Sequence, residues 1–189
     1  SRRPSSSSSH GPRGCGRPML SRAGRFVAGF VIATIAWLWI SPLLARGMAA
    51  ATQPLLHLDA RFRDAQLSVS ESMVSVDAPH GTFPQTKYPA DQLTFNLILL
   101  VALFASNRKP WRDRNILAFL ISLAIILALQ PLSLLVTIET YYADFTKWGE
   151  TQYGEIAANV WLVLQMFWRL VGMFGAVFAC WWIAPSRDM

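Results

Sequence analysis

A chain of 189 residues that is 53% hydrophobic and only 15% charged, with mean hydropathy +0.32, is too apolar for an ordinary soluble domain. Its net charge of +6 does not point to nucleic acid: six arginines precede the first apolar run and four basic residues fill the short loop Asn107–Arg114. That distribution follows membrane topology and builds no basic face, while eight Trp and eleven Phe suit the aromatic belts of a membrane protein.

Residues 1–18 are low-complexity and too polar to bury a core. They read either as a disordered basic tail or as upstream sequence ahead of a true start at Met19, with the second favoured. The first apolar run, Phe26–Leu44, follows Arg22 and Arg25 and defines a first membrane helix within residues 19–47. A cleaved signal peptide is the rival reading, but such apolar regions run about 7–15 residues and this one is longer and contains Trp37 and Trp39. An uncleaved anchor is therefore expected, with residues 48–92 outside the cytoplasm.

Within that segment, Gln66–Val76 (QLSVSESMVSV) alternates in two pieces around Ser70-Glu71-Ser72, the pattern of a small β-hairpin. Pro79, Gly81, Pro84 and Pro89 are expected to break regular structure after it. A cap on the membrane surface is the result. Residues 93–189 hold the other three expected helices. Leu93–Ser106 is short and spans only with help from Pro89–Gln92. Arg108, Lys109, Arg112 and Arg114 then mark a cytoplasmic loop. Asn115–Ile138 is the third span, with Pro131 inside it, and Glu139–Ile156 is acidic and fits the outer side. The last run, Ala157–Ala184, returns to Arg187. The expected fold is an all-α membrane protein of four transmembrane helices with an extracytoplasmic β-hairpin cap between helices 1 and 2, both termini in the cytoplasm of a bacterial inner membrane.

Arg169 lies near the midpoint of that last run, where a charge costs at least about 2.5–3.5 kcal/mol on insertion scales. At 100° per residue, Gln165 and Glu155 lie about 40° to either side of it and Asn159 about 80° away, so the polar residues share one stripe. Counted from the cytoplasmic ends at 1.5 Å per residue, Arg169 falls at about 22 Å, Gln130 at about 24 Å and Asn96 at about 15 Å. Asn96, Gln130, Asn159, Gln165 and Arg169 thus form a candidate mid-membrane polar layer. It serves either a substrate or partner, or the bundle itself, as polar glue between helices.

The remaining candidates are weaker. Cys180 has no His in any span to activate it and reads as a buried structural thiol, and Cys15 with Cys180 makes no disulfide framework. His57 and His80 have no ligand spacing, the aspartates of the outer segment form no calcium loop, and no Gly-rich phosphate loop is present, so no metal or cofactor is expected. Gly172 and Gly175 fall one residue short of a G-x-x-x-G spacing.

The layout resembles the small four-span proteins encoded with exosortases, in particular the exosortase H-associated membrane proteins. The residues that carry it are a first span with Pro near its outer end (WLWISP, Trp37–Pro42), the outer hairpin, an Asn-bearing short second span (TFNL, Thr94–Leu97), a basic turn, and a third span with Gln and Pro (ALQP, Ala128–Pro131). Exosortases themselves are intramembrane transpeptidase-like enzymes with essential Cys, Arg and His. This chain offers Arg169 without a Cys or His at matching depth. The resemblance therefore implies a non-enzymatic accessory to protein sorting, in contact with lipid and with an exosortase or its tagged substrates, in an unknown oligomeric state. A small transporter or channel subunit using the polar layer, and an intramembrane enzyme, are the alternatives.

Overall fold

The structure, a computed structural model, describes residues 17–78, 81, 83–107 and 111–183. Cys15, Pro79, His80, Arg108, Lys109, Arg187 and most of the basic tail lie outside the described residues. The chain is mostly helical. Helix α1 runs Arg17–Leu56, α2 Ala90–Thr94, α3 Asn96–Ala105, α4 Asp113–Phe145 and α5 Lys147–Gln152. A last helix comprises α6 (Glu155–Phe167), a π-turn (Trp168–Gly172) and α7 (Met173–Ile183). Three strands, β1 (Gln66–Ser70), β2 (Met73–Asp77) and β3 (Thr86–Pro89), form an antiparallel sheet in the order β1-β2-β3.

Among the described residues, three helical segments are long and apolar enough to cross a membrane: Arg22–Leu56, Asp113–Phe145 and Glu155–Ile183. The apolar helix Gln92–Ala105 is shorter. Its residues Asn96, Leu97, Ile98, Leu100, Ala102, Leu103 and Phe104 are all buried, as expected of a short helix in the interior of a bundle.

Helix α1 does not stop where its apolar run does. From Ala45 on, the sequence is rich in good helix formers, and Ala45, Met48, Ala49, Thr52 and Leu56 recur at helical spacing and are buried. An apolar window sees only the end of hydrophobicity at Leu44, whereas the amphipathic continuation packs beneath the sheet. Similarly, α4 continues through Glu139 to Phe145, because Ile138 and Tyr142 extend its buried face into the same core.

The hairpin turns at Glu71-Ser72, with Ser70 opposite Met73 and Gln66 opposite Asp77. Glu71 takes φ 57°, the left-handed conformation that a tight hairpin turn demands. The proline-rich stretch adds a third strand that its composition argues against: Thr86–Pro89 pairs with β2, Tyr88 opposite Val74. Pro89 is tolerated because β3 is an edge strand and Pro89 ends it.

Cross-links between elements define the two ends of the bundle. At one end, Arg25 Nη1 donates to the Asn107 carbonyl at 3.0 Å, and Trp181 Nε1 donates to Asn107 Oδ1 at 3.3 Å. These bonds gather the start of α1, the exit of α3 and the end of α7. At the other, Tyr142 Oη donates to the Pro84 carbonyl at 2.6 Å, and Phe62 packs edge-on against Tyr142 and Phe83. Between the ends, Gly29 lets α3 approach α1: a Cβ there would lie 2.6 Å from the Cβ of Ala105.

Candidate functional site

Two polar constellations stand out, one in the body of the bundle and one at the sheet end. In the body, Gln130 from α4 and Asn96 from the start of α3 meet: Gln130 Nε2 donates to Asn96 Oδ1 at 2.9 Å, with both residues buried. Counting residues from level helix ends had separated them by several ångströms in depth; the bond shows that the ends of α3 and α4 are not level. Gln130 Oε1 is buried and has no hydrogen-bond partner among the described residues. Among the described residues, Asn96 Nδ2 has only Met173 Sδ as partner, at 3.8 Å, and a thioether is a weak acceptor.

Each member of the pair borders a different cavity. Gln130 lines one of about 230 Å³ together with Leu44, Met48, Thr94, Leu127 and Pro131. Asn96 lines another of about 220 Å³ with Leu93, Phe95, Ser133, Arg169 and Met173. Arg169 is therefore brought to the same cavity as Asn96. Its own side chain is exposed, and among the described residues it makes no hydrogen bond or ion pair.

Arg169 stands in the π-turn Trp168–Gly172, where one turn is widened. Such turns recur at functional sites because the added residue re-aims the helix faces on either side. Here α6 packs on α4, whereas α7 packs on both α3 and α4. Gly172 makes room for the turn: a Cβ on it would lie 2.9 Å from the Trp168 ring. Gly175, by contrast, faces open space. Asn159 is exposed and Gln165 half-buried, and neither makes a side-chain hydrogen bond among the described residues. Of the five residues of the expected layer, Asn96 bonds Gln130 and shares a cavity with Arg169, whereas Asn159 and Gln165 make no side-chain bond to them among the described residues. Cys180 is half-buried rather than buried.

At the sheet end, the 3-10 turn Ala60–Phe62 carries Arg61, whose Nε donates to both Asp59 oxygens at 3.0 Å; its Nη2 also binds Asp59 Oδ2. Arg61 Nη2 stands 3.6 Å from Glu139 Oε2, and its guanidinium lies 3.7 Å from the centre of the Tyr153 ring. Tyr153 Oη completes the ring by donating to Glu139 Oε2 at 2.6 Å. The Arg61 hydrogen bonds hold the Asp59 carboxyl below its ordinary range, outweighing its partial burial. Burial, with the bond to Glu139 next, pushes the Tyr153 hydroxyl up. Nothing in spacing pointed to this cluster, because its members come from three separated segments. It clasps the α1 exit to α4 and to the α5–α6 link.

His57 belongs to a neighbouring contact: its Nε2 lies 2.8 Å from the Ala65 carbonyl, while Gln53 Oε1 accepts from the Leu67 N–H at 2.7 Å. Both residues serve to fasten α1 to the start of β1.

Chemically, the sheet-end cluster is closed on itself, whereas the cavity beside Arg169 presents an unused guanidinium fork, a weakly engaged amide and apolar walls. That is the equipment for holding an anionic or amide group in low dielectric. Comparison of the chain with protein families, with curated proteins and with solved structures found no match, so the reading of this site rests on its own geometry.

Proposed function

We propose that this chain is a four-span protein of a bacterial inner membrane, both termini cytoplasmic, that acts as a non-enzymatic accessory subunit of an exosortase-type protein-sorting system. The observation that carries the reading is Arg169: a charge at the centre of a membrane-length helix, exposed, unpaired among the described residues and set in a π-turn. A protein that needed only to span would not retain such a charge, because apolar replacements insert at lower cost. The layout shared with exosortase-encoded four-span proteins suggests the system. The gathering of Arg25, Asn107 and Trp181 at one end of the bundle supports a second crossing by α2–α3 and termini on one side.

Two experiments test this. Topology reporters at Ser75 and Lys109 should give opposite signals; the same signal from both would remove the second crossing and the four-span reading with it. In cells that depend on the chain for delivery of a tagged surface protein, Arg169→Leu and Arg169→Lys should leave its membrane abundance normal and impair delivery. Lys keeps the charge and loses the planar fork, so it should rescue little. Normal delivery with Leu would overturn the functional reading.

A further inference from the structure

The identity of the group that Arg169 awaits follows from its surroundings. Arg169 is the central residue of Glu155–Ile183, fourteen residues from either end. At 1.5 Å per residue that is about 21 Å of helix on each side, near mid-bilayer if the segment is centred. The segment is also the least packed of the three long helices: 11% of its apolar window is buried, against 33% in α4. Val163, Met166 and Leu170 are exposed on it near the charge, and Phe174 and Phe178 beyond the π-turn, so exposed apolar surface flanks Arg169 along the helix. Arg169 lines the cavity of about 220 Å³, whose further polar lining is Gln92 on α2, Asn96 on α3 and Ser133 on α4.

We propose that Arg169, beside Asn96 in the same cavity lining, receives the carboxylate of an Asp or Glu side chain carried at mid-depth by a partner's transmembrane helix, which packs on the exposed apolar surface of α6–α7. The proposal deepens the accessory-subunit reading and rests on it only for the existence of a partner helix. Charge complementarity selects an anion, and the planar fork selects one with two oxygens. Depth selects its source. A phospholipid phosphate lies at the interface, about 15 Å from mid-bilayer, farther than the side chain extends. A second copy of the chain offers no carboxylate there: the long helices carry acids only at Asp113, Glu139, Asp144 and Glu155, and Glu139 is buried and engaged by Tyr153 and Arg61. A symmetric pair would set one Arg169 against the other.

The test reconstitutes the full chain, labelled with a donor fluorophore, in phosphatidylcholine vesicles with an acceptor-labelled synthetic Leu/Ala transmembrane helix carrying Glu at its centre. The same helix with Leu at the centre, or with Glu one turn from its end, is the control. Energy transfer should show the central-Glu helix associating at least tenfold more tightly than either control, and Arg169→Leu should abolish the preference. Equal association of the three helices with the wild-type chain overturns the proposal without recourse to any variant. So does a Glu preference that survives Arg169→Leu. Association that needs phosphatidylglycerol and ignores the probe's Glu assigns the site to lipid, and transfer between labelled chains that excludes the probe assigns it to self-association; either result also overturns the proposal. A delivery defect of Arg169→Leu in cells, alongside a negative vesicle result, would leave the accessory role standing and remove only the carboxylate.

Discussion

At the sheet end Arg61 is held by both oxygens of Asp59, by Glu139 and by the face of Tyr153, while midway along the last helix Arg169 meets none of these. Both are arginines beside apolar residues, and the difference lies in what folding delivered to them. Arg61 draws its partners from a 3-10 turn, from the end of α4 and from the α5–α6 link, all of which converge under the sheet around Phe62, Phe83, Tyr142 and Trp148. Arg169 sits on a helix that turns most of its surface away from the bundle. Arg61 is a fastening within the chain, whereas Arg169 has no such partner among the described residues and is the proposed attachment point.

The Arg61 clasp depends first on the aromatic core that assembles it. Phe62 is fully buried, and Phe62→Ala should cost about 3–5 kcal/mol, the range for truncating a core aromatic. Thermal unfolding in detergent should show a large drop in melting temperature, with α6–α7 losing less protection from hydrogen exchange than the sheet. An unchanged melting temperature would mean that the aromatic cluster does not support the sheet end.

A smaller and sharper effect separates the two arginines. Arg61→Leu should destabilise by about 1–2 kcal/mol, since it leaves the buried Glu139 and its neighbour Asp59 without their cation, discounted for the clasp's partial exposure. Arg169→Leu should be neutral or stabilising, because a costly intramembrane charge is removed and no intrachain bond is lost. Equal losses in the two variants would erase the distinction between fastening and attachment point.

Acid should weaken the sheet end in a defined direction. The folded Asp59 carboxyl lies below its unfolded value, so its stabilising contribution is complete above that value, near 3.9. It should decline as pH falls through the folded value and be absent below it. The melting temperature of the wild type should therefore fall on acidification below about pH 4, and Asp59→Asn should flatten that part of the profile. An identical acid limb in the variant would place the titration elsewhere.

The smallest effect concerns the hairpin turn. Glu71 holds φ 57°, a region that a glycine occupies without a side-chain penalty, so Glu71→Gly should stabilise by about 0.5–1 kcal/mol. Because the turn lies far from Arg169 in sequence and on the sheet, binding of the probe helix should be unchanged.

Periodicity and composition by themselves determined the three long apolar helices, the apolar character of α3, the two alternating pieces of Gln66–Val76 that pair as a hairpin, and the place of Arg169 midway along the last apolar run. These features are local: alternation of period 2 or a long apolar run needs no partner to be visible. Tertiary structure decided where those elements end and what they meet. It carried α1 to Leu56 and α4 to Phe145, because an amphipathic continuation becomes stable only when the sheet covers its apolar face. It made a strand of Thr86–Pro89 by offering β2 as a partner, closed the bond between Gln130 and Asn96 across helices with unlevel ends, and assembled Arg61, Asp59, Glu139 and Tyr153 from separated segments. The π-turn at Trp168–Gly172 belongs with these: no propensity in WRLVG announces it, and it lies where the last helix passes from packing mainly on α4 to packing on α3 and α4 together.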